Sequence, residues 1–147
     1  MCRSHAAVRS LVAEMIENYD RPTVIDMEAG LEHLSRGTGQ KVDTMLIVLE
    51  PYYKSMETAA RIREIANEVE SLDRIYAVAN KTRSQDDEWA LRQFCQQRGL
   101  NLIAIVPDDE TVREADRSGV ALLDHDDASS PAVRSITALA ETLIGHA

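Results

Sequence analysis

A chain of 147 residues favours one domain, and it is long enough to bury a real core. With 25 acidic residues against 16 basic ones, its net charge of −9 argues against broad nucleic-acid or anionic-membrane binding, which needs clustered Lys and Arg. A local basic pocket for a nucleotide stays open, and with aromatics at only 4% the core must be built from Leu, Ile, Val, Ala and Met.

In chain order, "SHAAVRSLVAEMIENYDRP" reads as a helix. Ser4 caps it, and Val8, Leu11, Val12, Met15 and Ile16 fall on one face. Asp20, Arg21 and Pro22 stop it, because the residue before proline avoids the helical region. "TVIDM" is the first strand expected, and "AGLEHLSRGTGQ" a loop or short helical turn. "DTMLIVLEP" holds a continuous apolar run from Met45 to Leu49, as in an interior parallel strand buried on both faces; Pro51 ends it. "SMETAARIREIANEVE" is amphipathic, with Ala59, Ile62, Ile65, Ala66 and Val69 on one stripe. "RIYAVANK" is the next strand. "SQDDEWALRQFCQQRG" is a helix with Ser84 as cap, Asp87 at the capping-box position and Gly99 as stop. "NLIAIVP" is another strand, and "DDETVREADRSG" a short helix stopped by Gly119. "SPAVRSITALAETLIGH" has Ser130 as cap, Pro131 at the first helical position and a stripe of Val133, Ile136, Leu139, Ala140, Leu143 and Ile144.

Strands and helices alternate, so the expected fold is a single α/β domain over residues 1–147: a three-layer sandwich with a mainly parallel sheet and right-handed crossovers. Two cysteines, Cys2 and Cys95, make no disulfide framework, and a reducing cytoplasm is the expected compartment. Cys95, beside Phe94 on a helix, is expected to pack in the core. No apolar run approaches the roughly 18–20 residues needed to cross a bilayer.

Ligands of open parallel sheets bind beyond the carboxyl ends of the strands. Four segments leave those ends: Asp26 to Gly30, Glu50 to Tyr52, Asn80 to Arg83, and Pro107 to Asp109. Asp26 can hold Mg²⁺, since hard cations take oxygen ligands. Gly30 lets a backbone amide approach a γ-phosphate with no Cβ in the way. Asn80 offers a donor and an acceptor to an adenine edge, and the turn at Pro107 and Asp108 can lend backbone groups beside it. Each has a plainer reading: a strand-end Asp caps a turn, Asn-Lys makes one, and Pro-Asp starts a helix. "RGTGQK" imitates a phosphate loop but fails G-x-x-x-x-G-K-[ST] in spacing and context. No such loop occurs in the chain.

"VIDMEAGLEHLSRGT", "LEP" with "SMETAARIREIA", "VANKTRS", "IVPDDETVREADRSGVALLD" and "SPAV", in that order, resemble the CooC-type ATPases. These assist nickel insertion during carbon monoxide dehydrogenase maturation. They lie within the MinD, ParA and nitrogenase iron protein group of P-loop ATPases. The resemblance implies ATP and Mg²⁺ as ligands, a homodimer, and the apo-dehydrogenase as client; the expectation of no nucleic acid and no membrane rests on the net charge. It makes Asp26 the acidic residue closing the Walker B strand, and Glu28, Ala29 and Gly30 the γ-phosphate switch. Asn80 and Lys81 become the adenine motif, with Pro107 and Asp108 beside it. Cys2 matches the second cysteine of a Cys-x-Cys pair that holds a metal, Ni²⁺ or Zn²⁺, between subunits. One thiolate from each of two subunits gives only two of the four ligands of a tetrahedral site.

The family pattern opens with a strand and a lysine-bearing phosphate loop, and this sequence contains neither. The resemblance therefore implies an incomplete domain, a fragment or split-gene product, inactive in ATP hydrolysis alone. It places the phosphate-loop strand between the segments "TVIDM" and "TMLIVL". Without it those two either pair directly or leave a groove that invites another chain, with marginal stability and self-association as the expected result. A non-catalytic α/β interaction module is the alternative reading.

Overall fold

The computed structural model describes residues 22–26, 43–67, 74–125 and 130–145. Strand β1 (Thr44–Leu49) leads into helix α1 (Tyr53–Ala66), and β2 (Arg74–Thr82) into α2 (Gln85–Gln97). Strand β3 (Leu102–Pro107) is followed by α3 (Glu110–Ser118), the one-turn α4 (Leu122–His125) and α5 (Pro131–Ile144). The strands form one parallel sheet in the order β1-β2-β3, with Thr44 opposite Arg74 and Leu49 opposite Ala79.

Alternation along each strand sends side chains to two faces. Ile47, Leu49, Ala77 and Ala79 meet Ala59 of α1 and Leu91 and Cys95 of α2 on one face. Alanines at the middle of β2 let both helices come close. Cys95 is a free thiol in this core, and burial pushes its pKa up. On the opposite face Val78, Val106 and Ala132 form a second cluster, joined by Leu46, Ile103 and Leu139. Helices on both faces of a parallel sheet make the expected three layers.

The helix ends follow the sequence signals. Ser84 Oγ accepts the Asp87 N–H at 3.1 Å, and Ser130 Oγ accepts that of Val133 at 3.1 Å. Gly119 takes φ 63° after α3 and Gly99 φ 65° beyond α2, a region that costs a side chain energy. Asp109 does two jobs. Its carboxylate accepts the Thr111 N–H of α3 at 3.0 Å and the Ala132 N–H of α5 at 3.1 Å. The Ala132 amide, then that of Thr111, holds its carboxyl below the usual carboxylate range. A carboxyl that ionises more readily when folded stabilises fully above its unfolded pKa, about 4, and loses this as pH falls through the folded value. We therefore expect Asp109→Ala to cost about 1–2 kcal/mol in urea melts at neutral pH. The difference from the parent should shrink as the melts are repeated from about pH 5 downward.

Three features differ from expectation. Thr23 to Asp26 have no regular structure, lie outside the sheet, and leave Val24 93% exposed. A strand needs a ladder, and these residues do not pair with β1 to make one. Val48, expected to be buried, is 58% exposed. Helix α5 lies over β3, so that face of β1 is only partly covered by the described elements. Helix α4 carries no sequence signal of its own, being a single turn.

Candidate functional site

Three of the four strand-end segments come together at the carboxyl edge of the sheet. Glu50, just past β1, accepts from Lys81 Nζ at 2.9 Å. The β2–β3 ladder jumps from Ala79 opposite Ile105 to Thr82 opposite Pro107. Three steps on β2 thus face two on β3, which is a bulge with one extra residue at Asn80–Lys81. Lys81 has φ 56°, in the left-handed region that a non-glycine residue rarely adopts. Just beyond the bulge the Thr82 carbonyl accepts the Asp108 N–H at 2.8 Å.

Asn80 is held by its own neighbour. Its Oδ1 accepts the Lys81 N–H at 3.0 Å, which settles which way the amide faces. The NH₂ group and a second lone pair remain for a ligand. A donor beside an acceptor matches the N7 and N6 edge of adenine, and it meets two acceptors on guanine.

Asp108 anchors the other side. Arg83 Nε donates to Oδ2 at 2.6 Å, and an Arg113 guanidinium nitrogen donates to Oδ1. With its side chain 13% exposed, the Arg83 hydrogen bond first and Arg113 second hold its carboxyl below the usual range. Arg113 also donates to Glu110 at 2.5 Å, and Arg117 to the same carboxylate at 3.0 Å. The Arg113 pKa is raised by Glu110 and then by Asp108, and that of Glu110 is lowered chiefly by Arg113.

Of the residues singled out in sequence, Asn80, Lys81, Pro107 and Asp108 lie together. Asp26 ends the exposed segment at 22–26, outside the sheet. Cys2, Glu28, Ala29 and Gly30 lie outside the described residues. Among the described residues no cluster of three or more His, Cys, Asp or Glu could hold an ion. None of their helices is long and apolar enough to cross a membrane. Sequence reading missed Arg113; its only signal was the three-residue spacing from Glu110, which many solvated helices share.

No family model matches the chain. It is 35% identical over 134 residues to the carbon monoxide dehydrogenase accessory protein CooC of Rhodospirillum rubrum, covering 91% of this chain and 48% of that protein. It is 37% identical over 122 residues to an uncharacterised ATP-binding protein of Methanocaldococcus jannaschii, covering 82% of this chain and 47% of that protein. The MinD cell division protein of Aquifex aeolicus shares its fold at a TM-score of 0.69 and 19% identity, over 93% of this chain and 59% of that one. The chain is thus related in sequence to CooC and to ATP-binding proteins and has a MinD-like fold, and it spans about half the length of the curated relatives it matches.

Proposed function

We propose that this chain carries the base-binding and switch portions of an ATP site, and that the phosphate-binding portion must be supplied by sequence it does not contain. The bulge that presents Asn80 beside the Pro107–Asp108 turn carries this reading. Asp26, Glu28, Ala29 and Gly30 are the proposed switch, with Asp26 on Mg²⁺. The outer edge of β1, which pairs with no further strand among the described residues, is where a phosphate-loop strand would join. In the complete assembly, ATP-gated homodimerisation in the cytoplasm would couple to delivery of nickel to a carbon monoxide dehydrogenase client. Cys2 would take part in a Ni²⁺ or Zn²⁺ site between subunits.

Calorimetric titration with adenosine nucleotides tests the base half. The chain should bind weakly, and Asn80→Ala should weaken binding by roughly tenfold, the worth of a lost paired contact to a base edge. Equal affinity in parent and variant would remove Asn80 from the site. The open edge of β1 also favours a second reading, a non-catalytic module that captures a partner strand. Under that reading no adenosine nucleotide binds at all.

A further inference from the structure

A non-glycine residue held at positive φ is strained, and it persists only when its surroundings fix it. Lys81 is such a residue, and the fixing groups can be named. On the β1 side Lys81 Nζ is tied to Glu50. On the β3 side the Asp108 N–H holds the Thr82 carbonyl, and Arg83 reaches the Asp108 carboxylate. The Arg83 N–H is itself bound by Asp87 at 2.8 Å. Behind these stands a charge relay on α3, in which Arg117 meets Glu110, Glu110 meets Arg113, and Arg113 meets Asp108.

Every arginine in this relay is substantially exposed. Exposed ion pairs contribute little to global stability, so the relay is a poor stabiliser of the fold. It is well placed to select one local conformation. At the bulge the Lys81 N–H binds Asn80 Oδ1, which fixes the amide and turns its NH₂ and one lone pair to a ligand.

We propose that Arg83 and Arg113, by bracketing Asp108, are positioning residues that hold the β2 bulge in the conformation in which Asn80 discriminates adenine from guanine. This rests on the nucleotide reading above. Neither arginine need touch the nucleotide. Both act through Asp108, which carries their restraint to Thr82 and so to the bulge.

The test uses ¹⁵N-labelled chain, following the Asn80 side-chain amide and the Lys81 backbone amide by NMR, free and in titrations with AMP and with GMP. Arg83→Ala, Arg113→Ala and Asp108→Asn are compared with the parent. The last keeps the shape of Asp108 and drops its charge. The parent should prefer AMP by roughly tenfold. Each variant should shift both amide signals in the free protein and lose most of that preference. For Arg83→Ala and Arg113→Ala the GMP affinity and the urea midpoint should stay unchanged, which separates positioning from general loosening. Variants that keep the parent's amide signals and preference would overturn the proposal and leave the nucleotide reading standing. A parent that shows no AMP-dependent shift at Asn80 would overturn the nucleotide reading and the discrimination with it. The free-protein spectra would still report on the bulge by itself.

Discussion

Replacing Leu49 with alanine should cost about 2–5 kcal/mol of unfolding free energy. Leu49 is fully buried at the end of β1, and it is one of the largest side chains with no exposed surface. Its cluster includes Ala59, Ala77 and Ala79. Their only side-chain atom is a methyl fixed to the backbone, so they cannot swing into the space a lost isobutyl group leaves. That places the expected cost toward the upper part of the range. The neighbouring substitution Val48→Ala, at a residue 58% exposed, should cost under about 1 kcal/mol. Urea melts followed by circular dichroism compare the two. Whole-domain stabilities are only about 5–15 kcal/mol, so the Leu49 variant should populate unfolded chain under mild conditions. Glu50, the next residue and the partner of Lys81, would lose its position along with β1. Equal costs at the two sites would mean that β1 does not bury the face assigned to it.

The second large effect concerns catalysis. Charge on transferring phosphates is stabilised mainly by loop amides, the loop lysine and Mg²⁺ held by the loop Ser or Thr. None of that pattern occurs in the 147-residue sequence. The cations nearest the described site are already engaged, Lys81 by Glu50 and Arg83 by Asp108. Taking either one for a phosphate would leave a carboxylate unpaired. Even one arginine supplied to such a transition state is worth a factor of about 10³–10⁵ in rate. ATP hydrolysis by this chain alone should therefore sit at buffer background. Joining a phosphate-loop strand and its helix should raise it by several orders of magnitude.

Much of the fold was legible because the physics was local. Ser84 with Asp87, and Ser130 with Pro131, mark helix starts through hydrogen bonds within one turn, and the structure has both caps. The apolar runs of β1 and β3 give the sheet, whereas of the stripe expected on α5 only Val133 is buried and Ile136 and Ile144 are exposed. The parts that escaped depend on partners far away in sequence. "TVIDM" has strand composition, but composition cannot supply a ladder, and residues 22–26 stay outside the sheet. Val48 belongs to an apolar run, yet its exposure depends on what covers that face. At the site, the Asn-Lys pair was visible as residue types on a strand end. The bulge that aims Asn80 was invisible, because it exists only as a mismatch between β2 and β3. The bracketing of Asp108 by Arg83 and Arg113 likewise joins groups from two elements beyond the reach of a spacing rule.

Phosphate release from Mg²⁺·ATP tests the division of the site most directly. It should be measured on the purified chain alone and on the same chain joined to a polypeptide bearing G-x-x-x-x-G-K-[ST] at the outer edge of β1. The expected result is background release from the chain alone and Mg²⁺-dependent turnover from the joined protein, lost again on Asp26→Asn. Mg²⁺-dependent turnover by the chain alone would contradict it, because a complete phosphate site would then exist within these 147 residues.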